Sequence, residues 1–66
     1  LGVYARNKTS VSLHIQLSDL SGRNIATQIG AQSAFFFDTS HLPNGVYVLW
    51  VEADGDRKAF KVVVGR

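Results

Sequence analysis

Two histidines, five carboxylates and a scatter of serines are the side chains of this chain that could do acid–base or nucleophilic chemistry. His14 falls in a stretch of alternating apolar and polar residues. His41 follows Asp38, Thr39 and Ser40 in a stretch with no apolar period. Asp38, His41 and a serine can be written down as a triad. A triad needs a pocket that holds substrate and excludes water, and 66 residues leave little room to build one. No Gly-x-Ser-x-Gly elbow accompanies them. A metal site would need a third ligand beside the two histidines, and the absence of cysteine removes thiolate ligands and disulfides together. Asp19, Asp54 and Asp56 lie close to glycines and are accounted for as turn residues. The expectation is a solvated surface role for both histidines, no catalytic residue, no metal and no cofactor, so not an enzyme.

Composition narrows the class further. Seven basic residues against five acidic ones leave a formal net charge of +2. The basic residues are scattered and form no run, so they are not the footprint of a nucleic-acid binder. No apolar run approaches the ~20 residues of a membrane span, and no charged segment leads into an apolar leader. A chain this short is one domain at most, with a marginal core and no disulfide to staple it. It reads as a piece of a larger protein, cut near a domain boundary.

The elements that would carry any site are strands. Residues 46–53 and 57–64 are rich in β-branched and aromatic side chains, and Asp54-Gly55 between them is a type I′ hairpin signal. A two-residue turn there sets Ala53 opposite Asp56, Glu52 opposite Arg57, Leu49 opposite Phe60 and Tyr47 opposite Val62. Alternation then places Tyr47, Leu49, Val51, Phe60, Val62 and Val64 on one face, expected to be core. Val46, Val48, Trp50, Glu52, Arg57, Ala59, Lys61 and Val63 share the other, mixed face. Upstream, residues 1–5 read as the end of a strand and residues 6–9 as a turn. Val11, Leu13, Ile15 and Leu17 alternate with Ser12, His14, Gln16 and Ser18, the pattern of a half-buried strand with its polar face to solvent. The turn at residues 19–22 uses the Asp19 side chain on backbone N–H groups two residues on, and Gly22 for φ > 0. Residues 23–29 return as a strand with Ile25, Thr27 and Ile29 inward. Residues 34–38 form a short strand in which either Phe35 and Phe37 or Phe36 alone is buried. One turn of 3₁₀ helix is expected before Pro43. Short strands with turns between them indicate an all-β sandwich of about 6–7 strands. On its surface, Trp50 with Arg57 and Lys58 either meets a partner, or Trp50 packs on a neighbouring strand, on Lys61 or on the rest of the parent protein. Arg57, Lys58, Lys61 and Arg66 either attract anionic sugars and lipid headgroups or blunt an edge strand.

Three stretches, in this order, resemble a known family. The first is Leu17-Ser18-Asp19-Leu20-Ser21-Gly22-Arg23. The second is Leu42-Pro43-Asn44-Gly45-Val46-Tyr47, preceded by Asp38-Thr39-Ser40-His41. The third is the lysine- and valine-rich stretch over residues 58–66. Together they are similar to the C-terminal sorting domain of the type IX secretion system, carried by cargo of Bacteroidetes such as gingipain-like proteases. The match covers roughly residues 11–66. The resemblance implies an immunoglobulin-like antiparallel β-sandwich. It makes Asp19, Gly22, Arg23, Leu42, Pro43, Gly45 and Tyr47 motif residues of structural importance. Lys61, Val62, Val63, Val64, Gly65 and Arg66 become the residues that the translocon recognises.

The implied function is to direct an attached protein across the outer membrane through the type IX translocon. Transit would be periplasmic, and the destination the cell surface or the medium. A sortase-like component would then cleave the signal and attach the cargo to anionic lipopolysaccharide. Two departures stand out. Family members usually begin with a Tyr-Pro-Asn-Pro-like segment and one more strand, and Val3-Tyr4-Ala5 lies too close to the Asp19 turn to be that segment. The expectation is a single sorting domain over residues 1–66 with its first strand upstream of residue 1, and a homodimer through the open edge or through strand exchange. The final Val64-Gly65-Arg66 also differs from the more usual basic or amide residue directly after the valines, which leaves cleavage or retention open. The rival reading from sequence is an immunoglobulin-like accessory or adhesion module of a cell-surface protein.

Overall fold

A computed structural model describes residues 1–4 and 11–65 of the chain. The turn expected at residues 6–9 and the terminal Arg66 lie outside the described residues. Six strands are formed in chain order: β1 (Gly2–Tyr4), β2 (Leu13–Asp19), β3 (Asn24–Gly30), β4 (Ala34–Phe36), β5 (Gly45–Ala53) and β6 (Asp56–Val64). They make two antiparallel sheets. One has four strands in the order β3-β2-β5-β6, and the other pairs β1 with β4. The protein is an all-β, immunoglobulin-like sandwich with one broad layer and one narrow one.

The broad sheet is aligned by local chemistry. Asp54 and Gly55 adopt φ of 50° and 81°, both positive as a type I′ turn requires. The nine β5–β6 pairs that follow run from Ala53 opposite Asp56 to Gly45 opposite Val64. Strand β2 pairs with β5 so that Leu17 meets Leu49 and Ile15 meets Val51. Opposed residues share a face, so these pairs build one apolar surface. Leu13, Ile15, Leu17, Tyr47, Leu49 and Val64 are buried there.

The narrow sheet covers that surface. Val3 lies opposite Phe35, and Leu1 and Phe37 continue the ladder with two backbone hydrogen bonds of 2.9 and 3.0 Å. The open choice among the three phenylalanines is resolved by this cover. Phe35 and Phe37 are buried in the core with Leu42, while Phe36 points out and meets Tyr4 edge to face at 6.0 Å. Gln28 of β3 donates from its side chain to the Phe36 carbonyl at 2.5 Å, which ties the two sheets together.

Four expectations are corrected. Phe60 is 50% exposed rather than core, whereas further along the same row of β6 Val62 is half-buried and Val64 buried. Thr27 and Ile29 face outward. A bulge leaves Ile25 between Asn24, paired with Ser18, and Ala26, paired with Leu17, and so shifts alternation by one residue. Ile25 and Ala26 both pack against the core as a result. Ser18, at that bulge and opposite Val48, is buried rather than solvated. Before Pro43 there is no 3₁₀ helix but a single turn, closed by the Leu42 N–H donating to the Thr39 carbonyl at 3.1 Å.

Candidate functional site

The motif residues gather at one end of the sandwich. Asp19 ends β2 and lies opposite Tyr47 of β5, so the first and second motifs become neighbours across the ladder. Asp19 holds its turn through its carboxylate. It accepts from the Ser21 N–H (3.0 Å), the Ser21 hydroxyl (2.6 Å), the Arg23 N–H (2.9 Å) and Arg23 Nε (3.2 Å). The Ser21 hydroxyl above all, then the Arg23 and Ser21 N–H groups and the Arg23 charge, hold its pKa below the usual carboxylate value. Gly22 supplies φ of +90°. Tyr47 is buried, and its hydroxyl donates to the Pro43 carbonyl at 2.6 Å, pinning the loop that enters β5. Leu42 is buried beneath that loop, and Gly45 begins β5 opposite Val64. Asp19, Arg23, His41, Leu42, Pro43 and Tyr47 line a shallow cleft of ≈ 310 Å³.

Asp38 repeats the device of Asp19. It accepts from the Ser40 N–H (3.0 Å) and the Ser40 hydroxyl (2.6 Å), and these bonds, with the nearby His41, lower its pKa. The serine that would complete a triad therefore donates to the aspartate and not to a histidine. His14 is exposed on β2. Among the described residues, no group of three or more His, Asp or Glu side chains could hold a metal ion.

The other concentration of candidate residues is β6. Among the described residues it is an edge strand, paired with β5 on one side only. Lys61 is exposed, Val62 half-buried, Val63 66% exposed and Val64 buried. Gly65 follows, exposed. Two open grooves lie against this strand. One, of ≈ 500 Å³, is lined by Leu1, Val3, Tyr4, Leu49, Lys58 and Phe60 among others. The second, of ≈ 280 Å³, is lined by Leu1, Thr39, Val62, Val63, Val64 and Gly65. Trp50 is half-buried on the outer face with the Arg57 guanidinium stacked 4.1 Å from its ring centroid. This is a cation–π contact that covers the indole and holds the cation in place. The surface set of Trp50, Arg57 and Lys58 is split by the sheet: Trp50 and Arg57 lie outside, while Lys58, opposite Val51, lies on the inner row beside the groove. Phe60 was not marked as a surface residue by sequence, and no local signal could have done so.

One family model matches this chain over nearly its whole length. That family, the secretion system C-terminal sorting domain, matches residues 3–65. The chain belongs to it. Comparison with curated proteins and with solved structures gave no match. As a type IX sorting domain the chain is a signal for export across the outer membrane, to the cell surface or the medium, and it works through the secretion machinery. Asp19, Gly22 and Arg23 form one turn, the Tyr47 hydroxyl braces Pro43, and on the next strand Val62 lies opposite Tyr47 and Val64 opposite Gly45.

Proposed function

We propose that this sorting domain is a non-enzymatic signal that the translocon reads in the periplasm through β6, with Lys61, Val62, Val63, Val64, Gly65 and Arg66 as the recognised residues. The observation that supports the reading is the position of the lysine–valine stretch on a sheet edge. Backbone groups there are available to a partner, and side chains alternate to either face for selection. After the cargo crosses, a sortase-like component removes the domain and joins the cargo to anionic lipopolysaccharide.

Deleting residues 61–66 from a cargo that ends in this chain should leave the passenger folded and held in the periplasm. Normal surface delivery of the truncated cargo would overturn the reading. In the undeleted cargo, the surface form should be shorter by the domain and heterogeneous in mass from attached sugar. A surface form that keeps the domain would overturn the cleavage step while leaving the export step standing.

A further inference from the structure

The two free edges of the broad sheet differ in kind. Strand β3 carries no charged residue, and Gln28 ties it to β4. Strand β6 carries Arg57, Lys58 and Lys61 against one acid, Asp56, at its turn end. Glu52 lies opposite Arg57, but among the described residues none of these three cations forms an ion pair. Beside them Phe60 and Val63 are 50% and 66% exposed, and the two grooves flank the strand along both its halves.

The hairpin register says which backbone groups are free. In a two-residue turn the flanking pair, Ala53 and Asp56, exchanges hydrogen bonds, and bonded pairs then alternate along the ladder. Lys58, Phe60, Val62 and Val64 are therefore bonded to β5. The N–H and C=O groups of Arg57, Ala59, Lys61 and Val63 point away from the sheet. A strand laid along this edge would satisfy them. Its side chains would alternate between an outer row beside Arg57 and Lys61 and an inner row beside Lys58, Phe60 and Val62.

We propose that β6 binds an acidic extended segment of its partner as an added strand, with carboxylates on the outer row facing Arg57 and Lys61 and apolar side chains on the inner row entering the grooves beside Phe60 and Val62. This rests on the reading of β6 as the recognised strand and names the chemistry of what recognises it. Charge decides the occupant. A second copy of β6 would bring three cations against three cations, and like charges facing across a ladder are destabilising. The same cations favour an acidic strand.

The test uses the full chain, isotope-labelled, with a short peptide of alternating glutamate and valine as probe and one of alternating lysine and valine as control. The glutamate peptide should slow amide exchange at Arg57, Ala59, Lys61 and Val63 and leave β3 unchanged. The lysine peptide should not bind. Ala59→Pro removes an outward N–H from an edge strand, where proline is tolerated, and should abolish binding. Should that variant fail to fold, the pair Arg57→Glu and Lys61→Glu decides, because it keeps the backbone. It should weaken the glutamate peptide about ten-fold and admit the lysine peptide. Equal binding of the two peptides, protection at β3, or no protection at all would overturn the proposal. Protection that appears without peptide as the chain is concentrated would assign the edge to a second copy and overturn it as well. The sorting reading stands or falls separately. If deletion of residues 61–66 blocks export but the Arg57→Glu, Lys61→Glu cargo is delivered normally, the added strand is wrong and the signal is right.

Discussion

The motif end and the β6 edge are built on opposite principles. At the motif end the polar groups are occupied within the chain. Asp19 accepts four hydrogen bonds, Arg23 pairs with it, and the Tyr47 hydroxyl is held by Pro43. At the β6 edge a row of backbone groups, three cations and a half-exposed phenylalanine face outward. Closed chemistry makes an end that holds its shape, and open chemistry makes a side that can be bound. The turns at the motif end brace the fold, and the edge leaves groups that a partner can pair with. The two meet at one end of the sheet, where Val62 lies opposite Tyr47 and Val64 opposite Gly45.

The comparison can be broken most directly by emptying the two sides in turn. Leu49 and Phe60 are directly opposed in the hairpin, and only Leu49 is buried. Leu49→Ala should cost ~2–5 kcal/mol, a large share of the stability of so small a domain. Phe60→Ala should cost about 1 kcal/mol, because half of its surface is already in water. Urea unfolding of the two variants checks this, and equal losses would mean that β6 is covered in solution. Gly22→Ala is the next effect in size. It forces a Cβ into a backbone with φ of +90°, and nothing lies near enough to clash, so strain alone should cost about 1 kcal/mol in the same measurement. The smallest effect is in acid. The pKa of Asp19 is lower in the folded chain than its ordinary 3.8. Its contribution to stability is therefore present above that value and lost as pH falls through the lower folded value. Asp19→Asn should flatten the fall in stability below about pH 4. An unchanged acid limb would show that the carboxylate adds nothing to the closed end.

Much of the site was legible because its causes are local. Asp54-Gly55 set the register of nine pairs by turn chemistry alone, and Asp-x-x-Gly at residues 19–22 made the bonds its spacing suggested. The family motifs were legible for the same reason, since each is a short run whose spacing survives in the sequence. The bulge at Ile25 was not legible. Residues 23–29 alternate well enough without it, and only pairing with β2 shows that Asn24 and Ala26 oppose neighbouring residues.

Alternation is a property of one backbone, so the sequence by itself determined the strands, the hairpin register and the two faces of β6. Burial depends on what lies opposite, and that was decided only by tertiary structure. The narrow sheet is two strands wide. It covers β2 and β5 and selects Phe35 and Phe37 over Phe36. Phe60 and Leu49 carry the same pattern in sequence, yet Leu49 sits between β2 and β6 in the middle of the sheet and is buried, while Phe60 lies on the edge strand and is half exposed.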